Sequence, residues 1–210
     1  ITVTGSTSLA TCVLSGSANV GVIWQGQCQN QEFFGTTVRL TIGGSTSSST
    51  AYKEFTTVAG ASFRDNANVQ TNALAYNASN GCGLRATNAN ASAISLGNEA
   101  YFKLSNIQAA TTAAGGRTYN GNATTGTVII DNCIFEGTYA GTVASLGICS
   151  FGTTGFVAKL SNCLIILRAS LADHIVGTNT SGPEFYNCTF VAPDDLATAP
   201  TSVFLSGASG

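Results

Sequence analysis

Four segments of the chain can be laid over one another on a single asparagine: FKLSNIQA, IIDNCIFE, KLSNCLII and EFYNCTFV. The anchors are Asn106, Asn132, Asn162 and Asn187, so the steps between them are 26, 30 and 25 residues. Two positions before each anchor stand Leu104, Ile130, Leu160 and Phe185, and one position after stand Ile107, Cys133, Cys163 and Cys188. Three positions after stand Ala109, Phe135, Ile165 and Phe190. Every column is small or apolar. A repeat of this length excludes most folds at once, because each unit must bury its apolar face against a copy of itself.

The offsets within the repeat say how the chain bends. The last two columns are two residues apart, as on one face of a strand, but the first two are three apart. A strand that stays inward-facing across an odd offset must turn between them, and the turn falls on the asparagine. Asparagine tolerates left-handed backbone torsions, and its amide can bond the neighbouring backbone or the amide stacked above it. The residue after it, usually cysteine, then points inward as a small hydrophobe. Short strands joined at such corners predict an all-β fold, a single-stranded right-handed parallel β-helix, with rungs about 4.8 Å apart. Asn106, Asn132, Asn162 and Asn187 form the expected corner ladder, with Ile107, Cys133, Cys163 and Cys188 as the inward stack.

Away from the anchors the pattern blurs. YNASNGCGLRATN, around Asn80 and Cys82, reads as a degenerate corner one step of 26 earlier. EFTTVAGASF reads as strands before that, TTAAGGRTYNGNATTG as a loop bulging from a corner, and SLADH as at most one helical turn. Residues 1–45 hold the only tryptophan, Trp24, and lack the anchor. They are expected to be an N-terminal cap or attachment segment, with the β-helix proper over residues 46–210; poorly matching coils are the alternative.

Charged residues make up only 9% of the chain, 8 Lys+Arg and 10 Asp+Glu for a net charge of −2. They are scattered, so no basic stripe neutralises phosphates and no polybasic segment faces a membrane; nucleic acid and membrane are not expected partners. No apolar run reaches the roughly 18 residues of a spanning helix. A surface this poor in charge is colloidally weak alone and makes more sense within an assembly.

In coil length, asparagine corners and Gly/Ser/Thr/Asn-rich style, residues 80 to 190 resemble right-handed parallel β-helix proteins of bacteriophage virions, such as tailspikes, fibres and capsid-surface proteins. Pectate-lyase-like enzymes share the architecture. The resemblance implies a structural virion protein, most simply a capsid decoration (cement) or tail-appendage protein at the virion surface. It would be a homotrimer, in contact with other virion proteins such as the major capsid protein, and able to bind host surface polysaccharide. The alternatives are a carbohydrate-binding or polysaccharide-depolymerising β-helix, or a secreted or cell-surface adhesin.

The seven cysteines form no CxxC and the only histidine is His174, which argues against a zinc site. Free buried thiols are the expectation, with Cys133–Cys163 or Cys12–Cys28 as the bridges the spacing allows. His174 beside Asp173 reads as a solvated loop histidine, because adjacent residues of an extended chain point opposite ways. GCGLRA lacks the following helix that a dinucleotide fingerprint needs and reads as a turn. Glycan cleavage would need two carboxylates roughly 5 to 9 Å apart. Asp131 and Glu136 flank the Asn132 corner, but Ala110, Ile166 and Val191 take the place of Glu136 on other coils. Asp194-Asp195 reads as a solvated turn, and Arg168 belongs to no evident acidic cluster. The N-x-S/T matches at Asn77, Asn90, Asn122, Asn179 and Asn187 are what this composition yields by chance. No catalytic residue, metal ligand or cofactor is therefore assigned.

Overall fold

The computed structural model describes residues 2–3, 12–14, 23–36, 39–43, 46–66, 75–89, 91–97, 99–112, 116–121, 126–137, 149–151, 156–168, 174–178, 183–191 and 202–206. The strands lie in three sheets. The first holds β1 (Thr2–Val3), β3 (Trp24–Cys28), β6 (Lys53–Thr57), β9 (Tyr101–Ser105), β12 (Gly126–Asp131), β15 (Phe156–Ser161) and β18 (Glu184–Tyr186). The second holds β4 (Glu32–Gly35), β7 (Gly83–Ala86), β10 (Gln108–Thr111), β13 (Ile134–Gly137), β16 (Leu164–Leu167) and β19 (Thr189–Val191). The third holds β2 (Cys12–Leu14), β5 (Leu40–Ile42), β8 (Ser92–Leu96), β11 (Arg117–Gly121), β14 (Cys149–Phe151), β17 (His174–Thr178) and β20 (Ser202–Ser206). Neighbouring strands are parallel, and from β3 onward the chain visits the first, second and third sheets in turn. This is a parallel β-helix, as the repeat predicts.

The register stacks like on like. Phe55, Leu104, Ile130 and Leu160 are successive partners on the first sheet, and Leu84, Ala109, Phe135 and Ile165 on the second. All are at most 1% exposed, and each Leu, Ile or Phe so buried contributes about 1.5–3 kcal/mol. Among the described residues the interior also holds an ion pair, Lys53 Nζ to Glu99 Oε1 at 3.0 Å, with both side chains fully buried. Lys53 donates as well to the carbonyl of Gly43 at 2.9 Å, so the charge leaves water already partnered.

Several expectations need correction. The segment TTAAGGRTYNGNATTG is not simply a loop, for it contains β11. Its Tyr119 lies in register with Ile94 and Cys149 and is fully buried. A lone aromatic among Gly, Thr and Asn hid the strand. Gly121 leaves room for that ring, because a Cβ there would lie 2.9 Å from it. The corner near residue 80 falls one residue later than expected. Gly83 pairs with Gln108, which sets Gly81 opposite Asn106 and Cys82 opposite Ile107. GCGLRA is thus a corner running into β7 rather than a turn. A Cβ on Gly81 would lie 2.6 Å from the Ala61 carbonyl oxygen, which explains why glycine replaces asparagine there.

EFTTVAGASF is strand only through Thr57, and its Phe63 opens the short helix α1 (Phe63–Asn66). His174 begins β17, pairing with Ser202, instead of sitting in a loop. The rest of SLADH, with Asp173, lies outside the described residues, as do Asp194-Asp195 and the sequons at Asn90, Asn122 and Asn179. Within residues 1–45, β3, β4 and β5 pair with β6, β7 and β8 in the same three sheets.

Candidate functional site

The corner between the first and second sheets is where sequence and structure are most specific. Asn106, Asn132, Asn162 and Asn187 have φ of 62°, 51°, 53° and 51°, and they are the non-glycine positive-φ residues among those described. The left-handed torsion lets the main chain keep its ladder through the bend. Asn132 N donates to Ser161 O and Asn162 N to Tyr186 O, both at 3.0 Å. The amide side chains do not form one continuous ladder. Asn187 Nδ2 donates to Asn162 Oδ1 at 2.8 Å, but Asn162 donates to Asp131 Oδ1 at 3.0 Å and Asn132 to Asp131 Oδ2 at 2.6 Å. Asn106 turns instead to Thr56 Oγ1 at 3.4 Å. Asp131, one residue ahead of its own anchor, captures two neighbouring amides because an ionised carboxylate outcompetes a carbonyl as acceptor.

Inside the corner, Cys133, Cys163 and Cys188 occupy one column with Ile107, as the partners Gln108, Ile134, Leu164 and Thr189 require. Cys133 and Cys163 are buried, Cys188 is half-buried, and all three are unbridged. The hydrogen bond with Cys133, with burial adding to it, pushes the Cys163 thiol well above its usual range. The bond with Cys163 does the same for Cys188, so these thiols stay protonated and inert. The bridge that does form is Cys28–Cys82, not Cys133–Cys163 or Cys12–Cys28. Its 54-residue separation had no precedent in the repeat, because an insertion lies between the two cysteines.

That insertion builds the outer wall of the site. Consecutive first-sheet partners elsewhere are 25 to 30 residues apart, whereas Lys53 and Phe102 are 49 apart. The extra chain leaves after Thr57 and returns at Cys82. Its described residues include α1 and a 3-10 turn, Ala78–Asn80, capped by Asn77 Oδ1 accepting from Ser79 N. Its described ends cross the outside of the second sheet as a strap. Tyr76 OH donates to Glu32 Oε1 at 2.6 Å and Tyr76 N to Glu136 Oε2 at 3.0 Å. Asn77 and Gln108 exchange two bonds, at 2.8 and 3.0 Å. Phe63 packs on Ile134 and Ile166, two outward residues that are thereby 1% and 2% exposed. Burial, then the bond to Glu32, pushes the Tyr76 phenol far above its ordinary range.

Between strap and corner runs a groove of about 570 Å³, with Asn132, Asn162 and Asn187 along its floor and Phe63 and Arg64 as its wall. Arg64 Nη1 donates to Asn132 Oδ1 at 2.7 Å. The sequence alone did not point to Phe63, Arg64, Tyr76 or Cys28–Cys82. Counting coil lengths would have exposed the oversized step that hides them.

Among the described residues, the two acids that flank the Asn132 corner are engaged. Asp131 accepts from Ser161 Oγ at 2.6 Å as well as from the two amides. Glu136 pairs with Arg168 at 3.1 Å, which gives that arginine its acidic neighbour from the adjacent rung. Ala110, Glu136, Ile166 and Val191 do occupy one register position, so acids do not repeat along it. Glu32 pairs with Arg85, Glu54 with Lys103 and Glu184 with Lys159, while Asp65 accepts from Ser62 N. Among the described residues no three His, Cys, Asp or Glu side chains gather as a metal site, and no helix is long and apolar enough to cross a membrane.

Fold and corner together define a parallel β-helix protein. The chain matches no protein-family model, no curated protein and no solved structure, so this assignment rests on its own strand topology.

Proposed function

We propose that this chain is a structural β-helix protein of the kind carried on bacteriophage virions, a capsid decoration or tail-appendage protein that works by assembly and surface contact. The observation that carries the reading is the state of its charges. Each described carboxylate is tied to a partner within the chain, so the outer faces offer shape, amides and a few exposed apolar side chains such as Ile129 and Tyr186. Such a surface fits contact better than reaction. The Cys28–Cys82 bridge suits the oxidising surroundings of an extracellular particle. On this reading the protein is a homotrimer and docks on other virion proteins, the major capsid protein foremost.

Two measurements test it. Sedimentation of the purified chain should give a trimer, and mixing with undecorated phage capsids should give saturable co-sedimentation. A stable soluble monomer that ignores capsids would refute the proposal.

A second reading, carbohydrate binding, is favoured by the groove. Amides spaced one rung apart beside a wall of one aromatic ring and one guanidinium suit a neutral, hydroxyl-rich chain. Calorimetric titration with host surface oligosaccharide should then show binding that Asn162→Ala weakens. Release of shorter fragments would instead indicate depolymerisation.

A further inference from the structure

The inner column at the asparagine corner is longer than its three thiols. The partners Gly83, Gln108, Ile134, Leu164 and Thr189 place their preceding residues in one file: Cys82, Ile107, Cys133, Cys163 and Cys188. Main-chain bonds hold it rung by rung, with Gln108 N to Cys82 O and Ile134 N to Ile107 O at 3.1 Å, and Leu164 N to Cys133 O at 2.9 Å. The file contains sulfur in two oxidation states. Cys82 is bridged to Cys28, while Cys133, Cys163 and Cys188 are free. Ile107, fully buried, is the one rung between them.

We propose that Ile107 is an insulating spacer, which keeps the bridge at the foot of the strap from exchanging with the thiols stacked behind it. Exchange needs a thiolate to attack one sulfur of the bridge. If Cys133 attacked Cys82, a Cys82–Cys133 bond would form, the Cys28–Cys82 bond would break, and Cys28 would leave as a thiolate and take up the proton that Cys133 lost. No outside oxidant is consumed, so it is geometry that stands in the way.

Geometry decides. Adjacent rungs are about 4.8 Å apart, within the Cα separations of about 4.4–6.8 Å that disulfides adopt. Two rungs are about 9.6 Å apart, beyond the limit of about 7 Å at which a bridge requires the backbone to move. A thiol at position 107 would close that gap. What the spacer protects is the strap. Val58 N donates to Cys28 O at 3.0 Å and Cys82 N to Ala61 O at 2.9 Å, so the bridge ties the departing and returning ends of the insertion together. Releasing Cys28 would untie the wall of the groove. This inference is independent of whether the protein decorates a virion.

The test uses the full chain equilibrated in glutathione buffer at mildly alkaline pH, with bridges mapped by mass spectrometry of unreduced peptides. Wild type and Ile107→Val should both show Cys28–Cys82 and no bridge from Cys82 to a thiol of the file. In Ile107→Cys the Cys28–Cys82 peptide should fall at least about two-fold, because two alternatives of similar geometry share the population. A bridge from Cys82 to the new thiol should appear in its place. Retention of Cys28–Cys82 alone in folded Ile107→Cys would overturn the proposal. Cys28→Ser gives an arm that does not depend on that variant folding. Cys82 should stay unlinked to any other cysteine of the file, and a Cys82–Cys133 bridge would overturn the proposal outright.

Discussion

Replacing Asn162 separates the two things a corner asparagine does. Its φ of 53° lies in the left-handed region, where an alanine costs about 1–2 kcal/mol. Its side chain accepts from Asn187 and donates to Asp131, both at exposed sites, and the loss of two such bonds costs about 1 kcal/mol in all. Asn162→Ala should therefore destabilise by about 2–3 kcal/mol. Asn162→Gly loses the same two bonds but adopts the torsion freely, at the expense of about 0.4–1 kcal/mol of extra unfolded-chain entropy, for a total of about 1.5–2 kcal/mol. With a urea slope of roughly 2 kcal/mol per molar, the midpoint should fall by about 1–1.5 M for Ala and by about 0.75–1 M for Gly. Urea titration followed by circular dichroism and Trp24 fluorescence reads both. The order matters more than the size. If Gly proves as damaging as Ala, or more so, the backbone argument fails and the corner depends on its amide alone.

Lys53→Met should cost about 3–5 kcal/mol by leaving Glu99 buried without its partner, and adding Glu99→Leu should recover most of it; denaturant midpoints of the single and double variants decide. Tyr119→Phe should leave stability unchanged or raise it by about 1–3 kcal/mol, because its buried hydroxyl has no partner among the described residues; a fall in Tm would contradict this. The pKa of Tyr76 is raised on folding, so its contribution is complete below the ordinary value of 10.0 and drains away as pH climbs above it toward the folded value. Stability measured between pH 9 and 12 should thus fall less steeply in Tyr76→Phe than in wild type, and identical slopes would show that the phenol is neither buried nor held by Glu32.

The coil was legible because it rests on a local necessity. A bend that preserves an inward face needs a left-handed residue, and asparagine supplies one at 106, 132, 162 and 187. Where the corner is turned by a different torsion, φ 149° and ψ −165° at Gly81, the pattern breaks and the register was misplaced by one. The third sheet was harder to see, since β11 carries one large apolar side chain, Tyr119, and β14 spans only Cys149–Phe151. The strap was invisible for a different reason. Tyr76, Arg64 and Phe63 matter through contacts with Glu32, Asn132 and Ile134, and such long-range pairing leaves no mark on spacing.

A stack in which each turn touches only the next should fray from its ends, losing one unit at a time. Tyr76 defeats that arrangement by gripping Glu32 on β4 and Glu136 on β13, three turns away. The central turns are thereby coupled into a block that must melt together, and denaturation should proceed by stepwise erosion up to that block and then by one abrupt collapse.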